Sequence, residues 1–408
     1  MKTTVNDLAI FGGRSEFPSL LHVGRPNLGD RRGTLDRIGA VFERGWLTND
    51  GPCVRDFERR VADLVGVSHC VAVSSGTTAL AFAIRAAGLS GEVIVPSFTF
   101  VGTAHALYWQ GITPVFCDVD PQTHNIAPAR VAELITPRTS GIIGVHLWGR
   151  ACEVEALRAI SRQHGVRLLF DAAHAFGCSH QGGMIGRFGD AEVFSFHATK
   201  CVNTCEGGAV VTDNSEIAEA VRLMRNFGFV DYDLVAGVGI NGKLNEVSAA
   251  VGLSSLDAMA DFVRVNKRNY ACYRENLRGA AGIHLVPHNE AGPCNYHYVV
   301  LEIDEAAAGL GRDELMRILW QENVLARRYF YPGCHRMKPY CDLFPGAGAH
   351  LPQTERLCSR VLCLPNGTAA GADEIERVCA IIRFSLDHAT EIRAKWAAAR
   401  VEDTAHAG

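Results

Sequence analysis

From residue 69 onward the chain keeps repeating one pattern: a short apolar run, a polar or glycine-bearing break, then apolar positions at helical spacing. Residues 69–74 read as a strand, and Ser75-Gly76-Thr77-Thr78 turns it directly into an amphipathic helix ending at Gly88. Residues 92–96 form the next strand, and 97–101 open a helix to Gln110. The runs 113–118, 141–147 and 166–171 continue the alternation, and 191–196 follows the same rule, with another apolar run after Gly208. Strands separated by helices demand right-handed crossovers and a mostly parallel sheet. Ligands then collect at the carboxyl ends of the strands, where Ser75, Phe98, Asp171 and Ser195 all fall.

The flanks read differently. Residues 1–35 are polar and rich in Gly, Pro and Arg, an arm of the kind that lies on a partner subunit. Residues 35–42 and 54–65 carry helical patterns, separated by turn residues at 46–52, and a long helical pattern runs from Leu244 to Ala260 and on to Arg278. A second domain is expected to begin near residue 265, with strands at 296–303, 324–331 and 362–365 and helices at 312–322 and 373–384. The expected organisation is an N-terminal arm (1–35), a large domain (36–264), a smaller C-terminal α/β domain (265–390) and a tail (391–408), helical at first and frayed at its end.

Composition narrows the function classes. The 408 residues, 48% hydrophobic, suffice for two packed units, and a net charge of −4 gives no basic excess for nucleic acid or an anionic membrane. Any anion must therefore be met by local groups. No run approaches the roughly 18 apolar residues of a membrane span. The opening Met1-Lys2-Thr3-Thr4-Val5-Asn6-Asp7 contains an acid and no apolar core segment, so no secretory signal is read there. Fourteen scattered cysteines then fit a reduced, cytoplasmic protein. His197, Cys201 and Cys205 are spaced four apart without a clear fourth ligand, and no metal is expected.

The chemistry centres on Lys200. The apolar run 191–196 delivers it to a polar turn, from which the chain leaves through Glu206-Gly207-Gly208. A lysine held at a strand end and partly desolvated favours its neutral amine, which condenses with an aldehyde to a Schiff base. Asp171 ends another apolar run upstream. Pyridoxal phosphate needs both groups: an amine for its aldehyde and a carboxylate opposite its pyridinium nitrogen. A helix start attracts phosphate through its free amides, and Gly76 with Thr77 places two of them beside a hydroxyl.

The words DAAHA (171–175), SFHATK (195–200) and EGG (206–208), in this order and spacing, resemble the DegT/DnrJ/EryC1/StrS family of sugar aminotransferases over roughly residues 35–390. The resemblance implies the aspartate aminotransferase-like fold type I, with a mostly parallel seven-stranded sheet in the large domain. It implies Lys200 and Asp171 as catalytic groups, Phe100 stacked on the cofactor, His174 near its ring oxygen and Ser195 at its phosphate. Tyr331 and His335 are implied as substrate contacts. Within the family the chain looks most like enzymes that aminate C-4 of dTDP-4-keto-6-deoxyglucose with L-glutamate as donor. Amination at C-3 is the alternative. Relatives that are dehydratases replace the lysine with histidine, and regulatory relatives are expected to lose the lysine or the aspartate; this chain keeps both.

One stretch invites a different reading. Gly237-Val238-Gly239-Ile240-Asn241-Gly242-Lys243-Leu244 satisfies G-x-G-x-x-G and nearly satisfies a phosphate loop. The residue after Lys243 is Leu244, which has no hydroxyl for Mg²⁺. The resemblance instead implies a segment crossing a homodimer interface, with Lys243 reaching the partner's cofactor phosphate and Asn241 supporting the turn.

Overall fold

The computed structural model describes residues 2–405, with side chains through residue 398. The fraying expected at the end of the tail falls at residues 406–408, outside those described. Seven strands form the central sheet: β1 (His69–Val73), β2 (Glu92–Pro96), β3 (Thr113–Cys117), β4 (Thr139–Val145), β5 (Arg167–Asp171), β6 (Ala191–Ser195) and β7 (Gly208–Thr212). Their order is β1-β7-β6-β5-β4-β2-β3. Only β7 runs antiparallel to its neighbours, β1 and β6, so the sheet is mostly parallel, as the strand and helix alternation requires.

A parallel sheet must be covered on both faces, and the strands are apolar on both. Val93 and Val95 point into one core cluster with Val71, Val73, Ile143, Leu169 and Val193, while Ile94 points into another with Ile142, Leu168 and Phe170. The helix Gly76–Ala86 lies on the first face against β6 and β7. It starts directly after β1 because Ser75 accepts a hydrogen bond from the Thr78 amide, a cap that fixes where the helix begins.

A second, three-stranded antiparallel sheet consists of β8 (Ile283–Leu285), β9 (Val299–Ile303) and β10 (Val361–Leu364), with β9 in the middle. The helices Arg312–Gln321 and Ala372–Asp387 pack beside it. The N-terminal residues are fastened to this part of the same chain. Leu21–His22 pairs in parallel with Val324–Leu325, and the fully buried Glu322 accepts from the amides of Ala9 (2.8 Å) and Glu16 (2.7 Å) and pairs with Lys2 at 2.8 Å. Among the described residues no helix is long and apolar enough to cross a membrane.

Two elements differ from expectation. The helical pattern from Leu244 is two helices, Glu246–Asp257 and Met259–Asn276, which meet at Ala258 (φ −90°, ψ −1°), the cap of both. The strand expected at 324–331 stops at Leu325, beyond which only Arg327 pairs, exchanging hydrogen bonds with Cys363. Past it the chain turns twice, Tyr331 N–H to the Arg328 carbonyl and Gly333 N–H to the Phe330 carbonyl, so those groups are spent locally rather than on a ladder.

Candidate active site

A cavity of about 370 Å³ opens at the carboxyl ends of β1, β2, β4, β5 and β6. The strand ends that sequence alone nominated therefore converge, and the segments around Tyr298 and 327–330 form part of the wall.

Lys200 reaches this cavity through the turn after β6, closed by its own N–H on the His197 carbonyl at 2.9 Å. Its amine donates to the Tyr298 hydroxyl at 3.1 Å. Burial lowers the amine's pKa to about 8, and the opposing pull of the Asp171 charge is too weak to restore it. A substantial fraction of a nucleophilic, neutral amine is thus present at physiological pH.

Asp171, the last residue of β5, presents its carboxylate to the same cavity. Burial raises its pKa, while hydrogen bonds from Ala173 N–H (3.0 Å) and the Thr103 hydroxyl (2.9 Å), together with the charges of Lys200 and His146, pull it back. Among the described residues no cation forms an ion pair with it. A half-buried carboxylate in that state calls for a positively charged partner from a ligand.

The opposite wall is a cradle. Gly76 and Thr77 are the first two residues of their helix, so their amides have no acceptor within it. A Cβ on Gly76 would stand 2.8 Å from Cβ of Ser195, so only glycine lets the helix start close on the Ser195 hydroxyl. Phe100 is 60% exposed and lines the cavity, leaving a free aromatic surface. A Cβ on Gly102 would meet that ring at 2.9 Å, which is why a glycine follows two residues later. His174 is buried, its ring centroid 4.1 Å from that of Tyr298 and stacked on Trp148 at 5.6 Å. Burial, then the charges of Lys200 and His297, hold His174 well below the ordinary histidine range and therefore neutral. Its Nδ1 accepts from the backbone N–H of Trp148 at 3.4 Å, so the proton of the neutral ring sits on Nε2. The donor set fits pyridoxal phosphate: an amine, a carboxylate without a cation, an open aromatic face, and a helix start with hydroxyls for the phosphate.

Not every nominated residue comes here. The Lys243 amine donates to Asn226 Oδ1 at 2.9 Å and lies 5.2 Å from the Phe227 ring, lining a separate cavity with Asp50 and Arg225. Asn241 pairs with Asn226 beside it, and no helix begins until Glu246, so the glycine-rich stretch is not the strand-to-helix phosphate loop its spacing imitates. Tyr331 points away, its ring between Arg328 (4.2 Å) and Arg312 (5.3 Å). His335 is buried elsewhere, bonded to Ser97 Oγ and Glu355 Oε1, each at 2.7 Å, and fastens the loop. The double turn after Arg328 is the reason, since it rotates Tyr331 outward and leaves Arg327, Tyr329 and Phe330 on the wall. Sequence reasoning missed these, as it missed Thr103 and Tyr298. Thr103 alone carried a signal, sitting one helical turn from Thr99 at the opening of a helix that starts from a strand end.

Comparison with known proteins agrees with this geometry. Residues 30–383 match the DegT/DnrJ/EryC1/StrS aminotransferase family. The chain is 36% identical to a dTDP-4-amino-4,6-dideoxy-D-glucose transaminase of Shigella dysenteriae, covering 89% of this chain and 98% of that one. It is 32% identical to a GDP-perosamine synthase of Caulobacter vibrioides, covering 90% and 98%. Among solved structures, that of DesI in the presence of its TDP-sugar product superposes with a TM-score of 0.91 at 49% identity, covering 96% of this chain and 99% of the other. The chain belongs to the DegT/DnrJ/EryC1/StrS family and is a pyridoxal-phosphate-dependent sugar aminotransferase.

Proposed function

We propose that this enzyme moves an amino group from L-glutamate to the C-4 keto group of dTDP-4-keto-6-deoxyglucose, giving dTDP-4-amino-4,6-dideoxyglucose. The single observation that carries the chemistry is the Lys200 amine, lowered to about 8, sharing one cavity with the cation-free carboxylate of Asp171. Support for the sugar comes from likeness to a transaminase named for that product and to DesI, described with a TDP-sugar.

When bound, pyridoxal phosphate supplies an aldehyde and an electron-accepting ring. Lys200 would hold that aldehyde and, once displaced by the donor's amine, its Nζ would take the proton off the donor's Cα as general base and deliver it, as general acid, to the former aldehyde carbon. Tyr298 keeps Nζ from swinging away through the 3.1 Å hydrogen bond. With the cofactor bound, Asp171 would accept a hydrogen bond from the pyridine N–H and keep that nitrogen protonated, the state in which the ring serves as an electron sink. His174, through Nε2, would donate to the ring oxygen, Phe100 would cover one face, and Gly76, Thr77 and Ser195 would bind the phosphate. The second half runs the same proton steps in reverse on the sugar's keto carbon.

The same proposal includes a homodimer in which Asn241 and Lys243 serve the partner's cofactor phosphate. It includes the division into an arm (1–35), a large domain (36–264), a small domain (265–390) and a tail (391–408), and residence in the cytoplasm. The test is incubation with glutamate and a panel of dTDP-, UDP- and GDP-ketosugars, with the aminated product identified by NMR. Amination of dTDP-4-keto-6-deoxyglucose at C-4 is expected. Turnover of a 3-keto sugar and of no 4-keto sugar would overturn the regiochemistry, and preference for a GDP-sugar would overturn the nucleotide.

A further inference from the structure

The reaction must seat two unlike substrates in one cavity, and an amino acid donor brings a carboxylate that the lysine and aspartate machinery does not address. We infer that Arg327 is the receiver for the carboxylate of the amino donor, an inference that rests on the aminotransferase reading above. Among the described residues Arg327 is the one arginine lining the cavity. Its backbone is fixed, N–H to the Cys363 carbonyl at 3.0 Å and the Cys363 N–H back to its own carbonyl at 2.8 Å, which ties it to the edge of the small sheet at β10. Its guanidinium lies 5.2 Å from the centroid of the Tyr329 ring, also on the wall, and among the described residues no carboxylate pairs with it.

The other charges on the wall are engaged. Lys200 is committed to the cofactor aldehyde, and Asp171 to the pyridine nitrogen. Glu206 already has a neighbour, lying 3.5 Å from His197 Nε2. That leaves Arg327 as the permanent cation, and its planar fork matches a carboxylate with two parallel hydrogen bonds. The geometry of the substrates separates their demands. A donor's carboxylate is bonded directly to the reacting carbon and must be met inside the cavity. The diphosphate of the sugar hangs from C-1, across the ring from C-4, so it lies farther out when C-4 is at the Lys200 amine.

The test uses the full-length holoenzyme and the variants Arg327→Leu and Arg327→Lys. Calorimetry measures binding of glutarate, a dicarboxylate with no amine to transfer, and stopped-flow absorbance follows the donor half-reaction with glutamate and the sugar half-reaction separately. Loss of a hydrogen-bonded charge pair predicts that Arg327→Leu weakens glutarate binding and raises the glutamate concentration for half-saturation by about 10- to 100-fold, with Arg327→Lys in between. The sugar half-reaction is expected to lose at least about tenfold less. The inference is overturned if glutarate and glutamate behave within about twofold of wild type, or if both half-reactions fall together. Should wild type use a different amino acid, the glutamate assignment falls while the same comparison with that donor still decides Arg327. Should no ketosugar react, the sugar assignment falls and the donor half-reaction still decides it.

Discussion

The Thr103 hydroxyl donates at 2.9 Å to Asp171 Oδ2, and with Ala173 N–H it is one of two donors holding that carboxylate in its ionised form. Thr103→Val removes the donor while keeping the branched shape at a site only 1% exposed. A hydrogen bond to a charged group contributes about 1.5–3 kcal/mol, equivalent to about 1 to 2 pK units. The direction follows from the existing balance: burial already raises Asp171, and the lost donor raises it further. A carboxyl with a higher pKa becomes ionised only at higher pH, so the acidic limb of the rate profile should move upward by about 1 to 2 units. At neutral pH the donor half-reaction should slow by about 10- to 100-fold, with weaker retention of the cofactor, whereas Thr103→Ser keeps the hydroxyl and should retain most of both. Stopped-flow absorbance across pH reads the first, and equilibrium dialysis reads the second. A valine variant within about twofold of wild type in rate and cofactor affinity, with an unmoved acidic limb, would refute the reasoning.

Other expectations follow from neighbouring contacts. The rate at which cofactor-free enzyme captures pyridoxal phosphate should climb with pH through a midpoint at about 8, where half of the Lys200 amine is neutral, and level off about one unit above it; a midpoint at the ordinary lysine value of 10.5 would contradict the burial argument. Gly76→Ala places a carbon 2.8 Å from Ser195 Cβ, so the helix start must shift and cofactor affinity should fall, which dialysis would register. Glu322→Gln leaves Lys2 without its buried partner and should destabilise the arm by up to about 3 kcal/mol, seen as a lower Tm and faster proteolysis before residue 20.

Strands β1 to β7 were legible because each is a short apolar run bounded by turn residues, and the parallel sheet followed from their alternation with helices. Lys200, Asp171, Gly76 and Ser195 were legible for a related reason, since each sits where such a run ends. What stayed hidden depends on contacts made at long range. Tyr298 meets Lys200 across 98 positions of sequence, and no local pattern encodes that. The segment after Val324 shows a strand's alternation but spends its hydrogen bonds on two turns, which moved Tyr331 off the wall and Arg327 with Tyr329 onto it. His335 has the look of a functional histidine in a Pro-Gly turn, yet its partners Ser97 and Glu355 make it a structural fastener. The stretch around Lys243 imitates a phosphate loop in spacing alone: Leu244 denies it the hydroxyl for Mg²⁺, and no helix begins until Glu246.

The central claim is that one amine, on Lys200, holds the cofactor and handles the transferred proton. Borohydride reduction of the holoenzyme followed by peptide mass mapping tests it most directly. The account predicts a pyridoxyl group fixed on Lys200 in the wild type, and neither that group nor amino transfer in Lys200→Ala. A pyridoxyl group found on another lysine, or full turnover by the alanine variant, would contradict it.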